Sequence, residues 1–501
     1  MTLVALDGRL VRRALSDVAD VVVVGSGPAG ATVAADLARA GLRVLIVEEG
    51  HHVLPADYAA SGVRAMAQLY RDLGTSLAFG PLPMPYLQGR AVGGTSVVNG
   101  AICWRTPPEV LAAWAAADPP LADALPAEVI AAHEARLAAR LGVAPTDPAV
   151  AGEKNLALGR GAAALGVAHR PIERNVVGCV GAGRCLQGCP HGAKLSMDRS
   201  LLPDAVAAGA RIAAGFRVER IAVAAGRAVA VHGETAGGAP FTVRARLAVV
   251  LAASAIQTPC LLRSSGLTHG PVGDGLTAHP GVSVTARFDR PIRAWTGATQ
   301  GHEVLGLRGE GLKLEALGFD LGLLAGRLPG VGPALATRLA ELDRYAVWGA
   351  ALRASGRGRV RPGRRRPWVT YALTADDLRR ARRAVRVLAD HFLAAGAVEV
   401  YPGLAGFAPV VRDPGEAARI ERDGPLAPTA YAMSMTHLFG TARMGADRAT
   451  SVVRPDFRHH TVAGLYVADS SVFPTNLGVN PQLPIMAIAA RCAERIIAAP
   501  A

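Results

Sequence analysis

Long hydrophobic runs are missing from this sequence of 501 residues: nowhere do about 18 uncharged apolar residues follow one another, so no membrane-spanning helix is expected. The first residues, MTLVALDGRLVRRALSDVAD, hold no extended apolar core and no small-residue cleavage site, which argues against a secretory signal and makes a cytoplasmic location the expectation. Cysteine is scarce, and six in a chain of this length do not make a disulfide scaffold. Lysine is nearly absent; Lys154, Lys194 and Lys313 stand alone among 54 basic residues, the rest being arginine. The formal charge is +14, with its densest part in Arg353–Arg366, followed by Arg379, Arg380, Arg382 and Arg383. No aromatic residue interleaves with these arginines as a base-stacking surface requires, so no nucleic-acid partner is expected. The stretch reads as a solvated face, with contact to a lipid surface as the alternative. What the chain does have is 50% hydrophobic residues, enough for a large core divided among two or three lobes.

The chain is organised around Ala19–Gly50, ADVVVVGSGPAGATVAADLARAGLRVLIVEEG. Val21–Val24 is a β-branched run suited to a strand buried on both faces of a parallel sheet. Gly25, Gly27 and Gly30 follow, then an alanine-rich helix over Ala31–Ala40 closed by Gly41, and a second strand, Val44–Val47, ending at Glu48. This is the βαβ dinucleotide-binding fingerprint: glycines let the backbone approach a pyrophosphate, the helix N-terminus carries positive partial charge, and the acid takes a ribose hydroxyl. Glu48 suits an unphosphorylated ribose, which leaves FAD and NAD open.

Gly89–Pro107, GRAVGGTSVVNGAICWRTP, is a second glycine-rich loop. Gly93 and Gly94 let backbone lie flat against a planar ligand, and Thr95, Ser96 and Asn99 offer small polar contacts. With the opening unit, this loop resembles the first signature of the glucose-methanol-choline (GMC) family of flavoprotein oxidoreductases. The resemblance implies an α/β fold with a Rossmann-like FAD-binding domain and a sheet-based substrate domain, and it places Gly93, Gly94, Thr95, Asn99 and Gly100 along the cofactor. Val98 stands where some members attach FAD through histidine, so the FAD expected here is noncovalent.

Residues 108–175 are alanine-rich and helical, with apolar positions such as Leu111, Trp114, Leu137 and Leu141. Cys179, Cys185 and Cys189 then precede Pro190; their spacing does not match an iron-sulfur run and no fourth cysteine lies nearby, so a glycine-rich structural turn is expected and no metal. The family resemblance places Val218 where main-chain groups meet the adenine. Leu247–Gly266 is similar to the second family signature, with a helix expected near Thr258 and Pro259, and Ser254 stands where a glycine is usual. His279, before Pro280, reads as a structural or cofactor-proximal group. Strands and loops from Val282 to Tyr401, with a helix over Ala375–Ala395, make a separate lobe, in which the leucine-rich stretch 318–343 reads as core, or else as a lid over an apolar cavity.

In the last part of the chain, Leu465–Ala468 is a strand with Asp469 at its carboxyl end, where doubly wound folds place cofactor contacts. Asn480 and Pro481 read as the N-cap and first residue of a long apolar helix. The resemblance implies that Asn480, Pro481 and Gln482 bear on the cofactor and that His437 and Asn480 form the family's catalytic His/Asn pair, as in its cholesterol, pyranose and long-chain alcohol oxidases. The domains expected are an FAD-binding domain in two parts, 15–105 and 201–280, a helical and Cys/Gly-rich insertion at 106–200, a substrate-binding domain at 281–435, and a C-terminal catalytic segment at 436–501.

An alcohol releases hydride only as its oxygen gains negative charge, which calls for a base, and histidine is one near neutral pH. The function expected is therefore FAD-dependent oxidation of a CH–OH group, with an apolar long-chain or sterol-like alcohol as small-molecule partner and oxygen, a quinone or a carrier as electron acceptor. The alternatives are a sugar or polyol substrate, or a flavin-dependent lyase.

Overall fold

The computed structural model describes residues 3–499, which build two large sheets and a two-stranded one, Val143–Pro145 with Glu173–Asn175. In the first, the strand Leu15–Val24 pairs in parallel with Val44–Glu48 on one side and with Pro240–Leu251 on the other. Arg211–Ala214 and then Leu6–Asp7 extend it outward from Val44–Glu48. Strand Pro240–Leu251 divides its pairing: its first half holds the antiparallel strands Arg227–Thr235 and Phe216–Ala224, while Val249–Leu251 pairs with Leu465–Val467. Register brings Val24, Val47, Leu251 and Val467 level, so four strands open their carboxyl ends on one edge, where doubly wound sheets bind ligands.

The helix Pro28–Arg39 leaves that edge directly after the first strand. It starts three residues earlier than the alanine pattern suggests, because Pro28 fits the first helical position, where no N–H is needed. Its small buried residues let it pack against both the sheet and the C-terminal helix Gln482–Ile497.

The second sheet is built on the long strand Asp274–Phe288, which pairs with Tyr345–Leu352, Arg357–Arg361, Ala397–Tyr401 and Met433–Phe439. Helix Ala375–Ala394, opened by a reciprocal Thr374–Asp377 capping box, buries its apolar stripe against this sheet, with Phe392 stacked 3.7 Å from Trp348. Strands Leu77–Phe79, Met84–Pro85 and His169–Pro171 also join it, so segments from the first 175 residues complete a sheet that sequence reading confined to later residues.

Two local expectations change. The helix expected near Thr258 and Pro259 begins at Ser254 and carries Pro259 inside it; the Ala255 carbonyl, which Pro259 cannot serve, accepts the Thr441 hydroxyl at 2.6 Å instead. Within 318–343, the short helices Leu321–Ala325 and Gly332–Ala340 lie at the surface; of the apolar side chains only Leu324 and Leu328 are buried, so most of this stretch is not core.

Candidate active site and cofactor cradle

Each glycine of the fingerprint has its own steric reason. Gly25 adopts φ +102°, and a Cβ there would lie 2.5 Å from the Ala252 carbonyl oxygen. A Cβ on Gly30 would lie 1.9 Å from the Gly25 oxygen, so the helix can approach the strand only without one. At Gly27 the nearest atom to such a Cβ is the Gly94 Cα at 4.0 Å; that space is open enough to receive a pyrophosphate, at a helix N-terminus with no acid in its first turn. Glu48 is buried and accepts from the Ser26 N–H, the Ser26 hydroxyl at 2.7 Å and the Gly50 N–H at 2.7 Å, with burial raising its pKa against these bonds. Ser26 Oγ also accepts from the Gly93 N–H, which ties the two glycine-rich loops together.

Gly93 is left-handed at φ +100° and starts a 3₁₀ turn over Gly94–Val97. Thr95 is exposed and its hydroxyl accepts from the Gly89 N–H; Val98 is buried and offers no nucleophile. Asn99 Nδ2 donates to Gln482 Oε1 at 2.5 Å, and a Cβ on Gly100 would strike Gln300 Oε1. Val218 is half-buried on the strand Phe216–Ala224. Asp469 is committed to the chain itself: its carboxylate accepts from the Ser254 and Ser471 N–H groups and the Thr258 hydroxyl, and burial raises its pKa.

Ser254 explains why glycine suits its position: φ is +92°. Its hydroxyl offsets part of the strain by accepting from Gln88 Nε2 at 2.9 Å and, more weakly, from the Ile256 and Gln257 N–H groups. Ser254→Ala keeps the strain and loses these bonds, so it should cost about 1–2 kcal/mol in thermal unfolding, whereas Ser254→Gly should stay within about 1 kcal/mol of wild type. Equal losses in both variants would contradict this reading.

Contacts run from the cradle to the candidate pair: Gly27 against Gly94, Asn99 to Gln482, and Asn480 to His437. Asn480 is not a helix cap. The helix starts at Gln482 with Pro481 before it, and the Asn480 Nδ2 lies 3.3 Å from His437 Nε2 while its Oδ1 is buried without a partner. His437 itself sits at φ +51°, an unusual conformation for a residue with a Cβ. Its Nδ1 is 3.0 Å from Nδ1 of the fully buried His279, whose Nε2 accepts from the Gly478 N–H at 2.8 Å. While the Gly478 contact is made, neutral His279 carries its proton on Nδ1 and donates to His437 Nδ1, leaving the His437 proton on Nε2. With the Asn480 amide turned end for end, its unpartnered Oδ1 accepts that proton.

Desolvation, with the Lys313 ammonium adding to it, lowers the His437 pKa to about 3; burial, then His437 and Lys313, holds His279 well below its ordinary value. Register places His279, Gly281 and Ser283 on one face with Thr436, Ser434, Gly349, Ala351, Lys313 and Glu315. Lys313 Nζ binds Glu315 at 2.6 Å and Glu303 at 3.2 Å, and the Trp104 indole donates to Glu303.

Sequence reading missed Lys194. Its Nζ donates to the carbonyls of Val97, Asn99 and Cys185, buttressing the second glycine-rich loop, and burial lowers its pKa to about 8. Cys185 lies 3.3 Å from the buried Arg174 guanidinium, and all six cysteines are free. A signal for Lys194 was present: in a chain whose surface cations are arginines, all three lysines are buried.

A carboxyl-edge cradle of this kind, joined by contacts to a histidine–asparagine pair, has the form of a dinucleotide-binding site. The GMC oxidoreductase profile matches residues 20–281 and 354–489, and the chain belongs to this family. It is 37% identical over 489 residues to an uncharacterized GMC-type oxidoreductase of Mycobacterium tuberculosis, covering 96% of this chain and 76% of that protein. It is 30% identical to a long-chain-alcohol oxidase of Arabidopsis thaliana, over 95% of this chain and 67% of that one. The fold is shared with pyridoxine 4-oxidase from Mesorbium loti, at a TM-score of 0.70 and 18% identity over 95% of this chain and 98% of that one. It is shared as well with formate oxidase of Aspergillus oryzae, at 0.70 and 17% over 96% and 98%. The cofactor is FAD, which the open space at Gly27 and the buried Glu48 fit.

Proposed function

We propose that this oxidoreductase oxidises a primary or secondary alcohol to a carbonyl, with His437 as the proton acceptor and Asn480 fixing the substrate oxygen. The observation that carries the reading is the His279–His437–Asn480 chain, joined through Gln482 and Asn99 to the cofactor loop. Bound FAD supplies the hydride acceptor. The chain's own residues handle the proton. For Nε2 of His437 to accept it from the hydroxyl, the proton His437 already holds must sit on Nδ1 and be accepted by His279 Nδ1. His279 then carries its own proton on Nε2, which requires the Gly478 contact to open. Asn480 Nδ2 is free to donate to the same oxygen and hold it as charge develops.

An apolar tail is the first reading of the substrate, supported by the likeness to a long-chain-alcohol oxidase and by the small Gly281, Gly349 and Ala351 on the sheet face. Lys313, Glu303 and Glu315 on the same wall favour a polyol as the second reading. Stopped-flow reduction of the bound flavin by a long-chain alcohol and by a sugar separates the two.

His279 acts as a positioning residue here. His279→Ala should retain FAD and slow flavin reduction by about 10- to 100-fold, the worth of one lost buried hydrogen bond to the catalytic ring, and should move the acid limb of the pH profile. Unchanged reduction and an unchanged profile would remove His279 from the proton path.

A further inference from the structure

The arginine-rich stretch does not stand alone in space. Strands Arg357–Arg361 and Trp368–Ala372 form a hairpin, and Leu77–Phe79 adds to its edge in parallel, with Met84–Pro85 beyond. Register alternates the two faces. Ala78, Met84, Val360, Val369 and Tyr371 enter the core, while Arg357, Arg359, Arg361, Trp368, Phe79 and Leu77 all point outward. Trp368 follows Arg366 by two residues, against the expectation of no aromatic among these arginines, and the sheet adds Phe79. Trp368 and Phe79 stack with ring centroids 4.5 Å apart and remain 54% and 38% exposed. Leu77, on the same face of the strand as Phe79, is also exposed.

We propose that this face docks on an anionic lipid bilayer. Isolated exposed apolar residues need no explanation, but a stacked Trp–Phe pair in an apolar strip bordered by arginines has the composition of an interfacial anchor. The charge balance favours anionic lipid. Asp274 takes up Arg359 and Arg361, and Asp72 takes up Arg366, while Arg357, Arg364 and Arg365 have no carboxylate partner among the described residues. Arg357 and Arg359 also line a cleft of about 560 Å³ with Phe79, Pro81 and the Asp274 carboxylate, which takes up Arg359 and leaves the Arg357 guanidinium for a phosphate head group. The face is connected to the candidate site, since the next residue beyond Met84–Pro85, Tyr86, bridges to Met435 on the strand that carries His437.

The test uses FAD-loaded full-length protein with vesicles of phosphatidylcholine alone and of phosphatidylcholine mixed equally with phosphatidylglycerol. Flotation should bring the protein up with the anionic vesicles only, and added salt should release it. The double variants Phe79→Ser/Trp368→Ser and Arg364→Gln/Arg365→Gln should each weaken binding by about tenfold or more, at unchanged melting temperature and flavin content. A blue shift of tryptophan emission on binding should vanish in the Trp368 variant. Equal binding to both vesicle types, no binding, or anionic binding untouched by both variants would overturn the proposal. So would loss, in these variants, of a dimer rather than of vesicle binding. None of these readouts depends on turnover, so the proposal and the alcohol reading fail independently.

Discussion

His437→Ala is expected to purify yellow, with FAD bound, and to reduce that flavin with alcohol about 10² to 10⁴ times more slowly than wild type, the usual worth of a positioned general base. FAD should remain because no atom of the cradle depends on His437: the cradle is closed by Gly25, Gly27, Gly30, Glu48 and the loop at Gly93. The substitution should also change stability with pH in a defined direction. The His437 pKa is lowered from 6.5 to about 3 in the folded chain, so the unfolded chain takes up a proton that the folded one refuses between those values. Wild type therefore loses stability as pH falls from 6.5 toward 3. His437→Ala removes this proton uptake and should fall less steeply, as acid unfolding at several pH values would show. Near-normal flavin reduction in the variant would sink the assignment of His437.

The second large effect separates holding the fold from holding the cofactor. Gly27→Val sets its Cβ in open space, the nearest atom to it being the Gly94 Cα at 4.0 Å. The apoprotein should fold with a melting temperature close to that of wild-type apoprotein and should lose FAD, since the side chain fills the space of the pyrophosphate. Gly30→Ala is the contrast. Its Cβ would sit 1.9 Å from the Gly25 oxygen, where backbone must move, so the helix and strand separate and the apoprotein itself loses several kcal/mol, as overpacked sites do. Absorbance of the purified flavin and thermal unfolding of both apoproteins distinguish the cases. A Gly27→Val protein that stays yellow would contradict the placement of the cofactor at Gly27.

The central unit could be read from sequence because its rules are local: valines in sequence, three glycines, a small-residue helix and an acid follow one another in the chain and in the sheet. The pairing of His437 with Asn480 came from the family resemblance, and the two side chains meet at 3.3 Å. His279 was assigned a structural or cofactor-proximal role, because its partner is 158 residues away and only the pairing of Asp274–Phe288 with Met433–Phe439 brings the rings together. Asn480 was misread as a cap: Asn before Pro has that local meaning, and a buried tertiary partner overrode it. The strand Leu77–Phe79 escaped notice since three residues carry no periodicity, and with it the aromatic partner of Trp368. The surface helices in 318–343 show the same limit, leucine content alone being silent on what lies opposite.

The most direct measurement is an anaerobic titration of the wild-type holoenzyme with long-chain, sterol, aromatic and sugar alcohols while the visible flavin spectrum is recorded. Loss of the oxidised flavin bands with one class of alcohol, returning on admission of air or of a quinone, is the predicted result. A spectrum unchanged by every alcohol, with the substrate altered and no electrons reaching the flavin, would contradict oxidation and support a lyase.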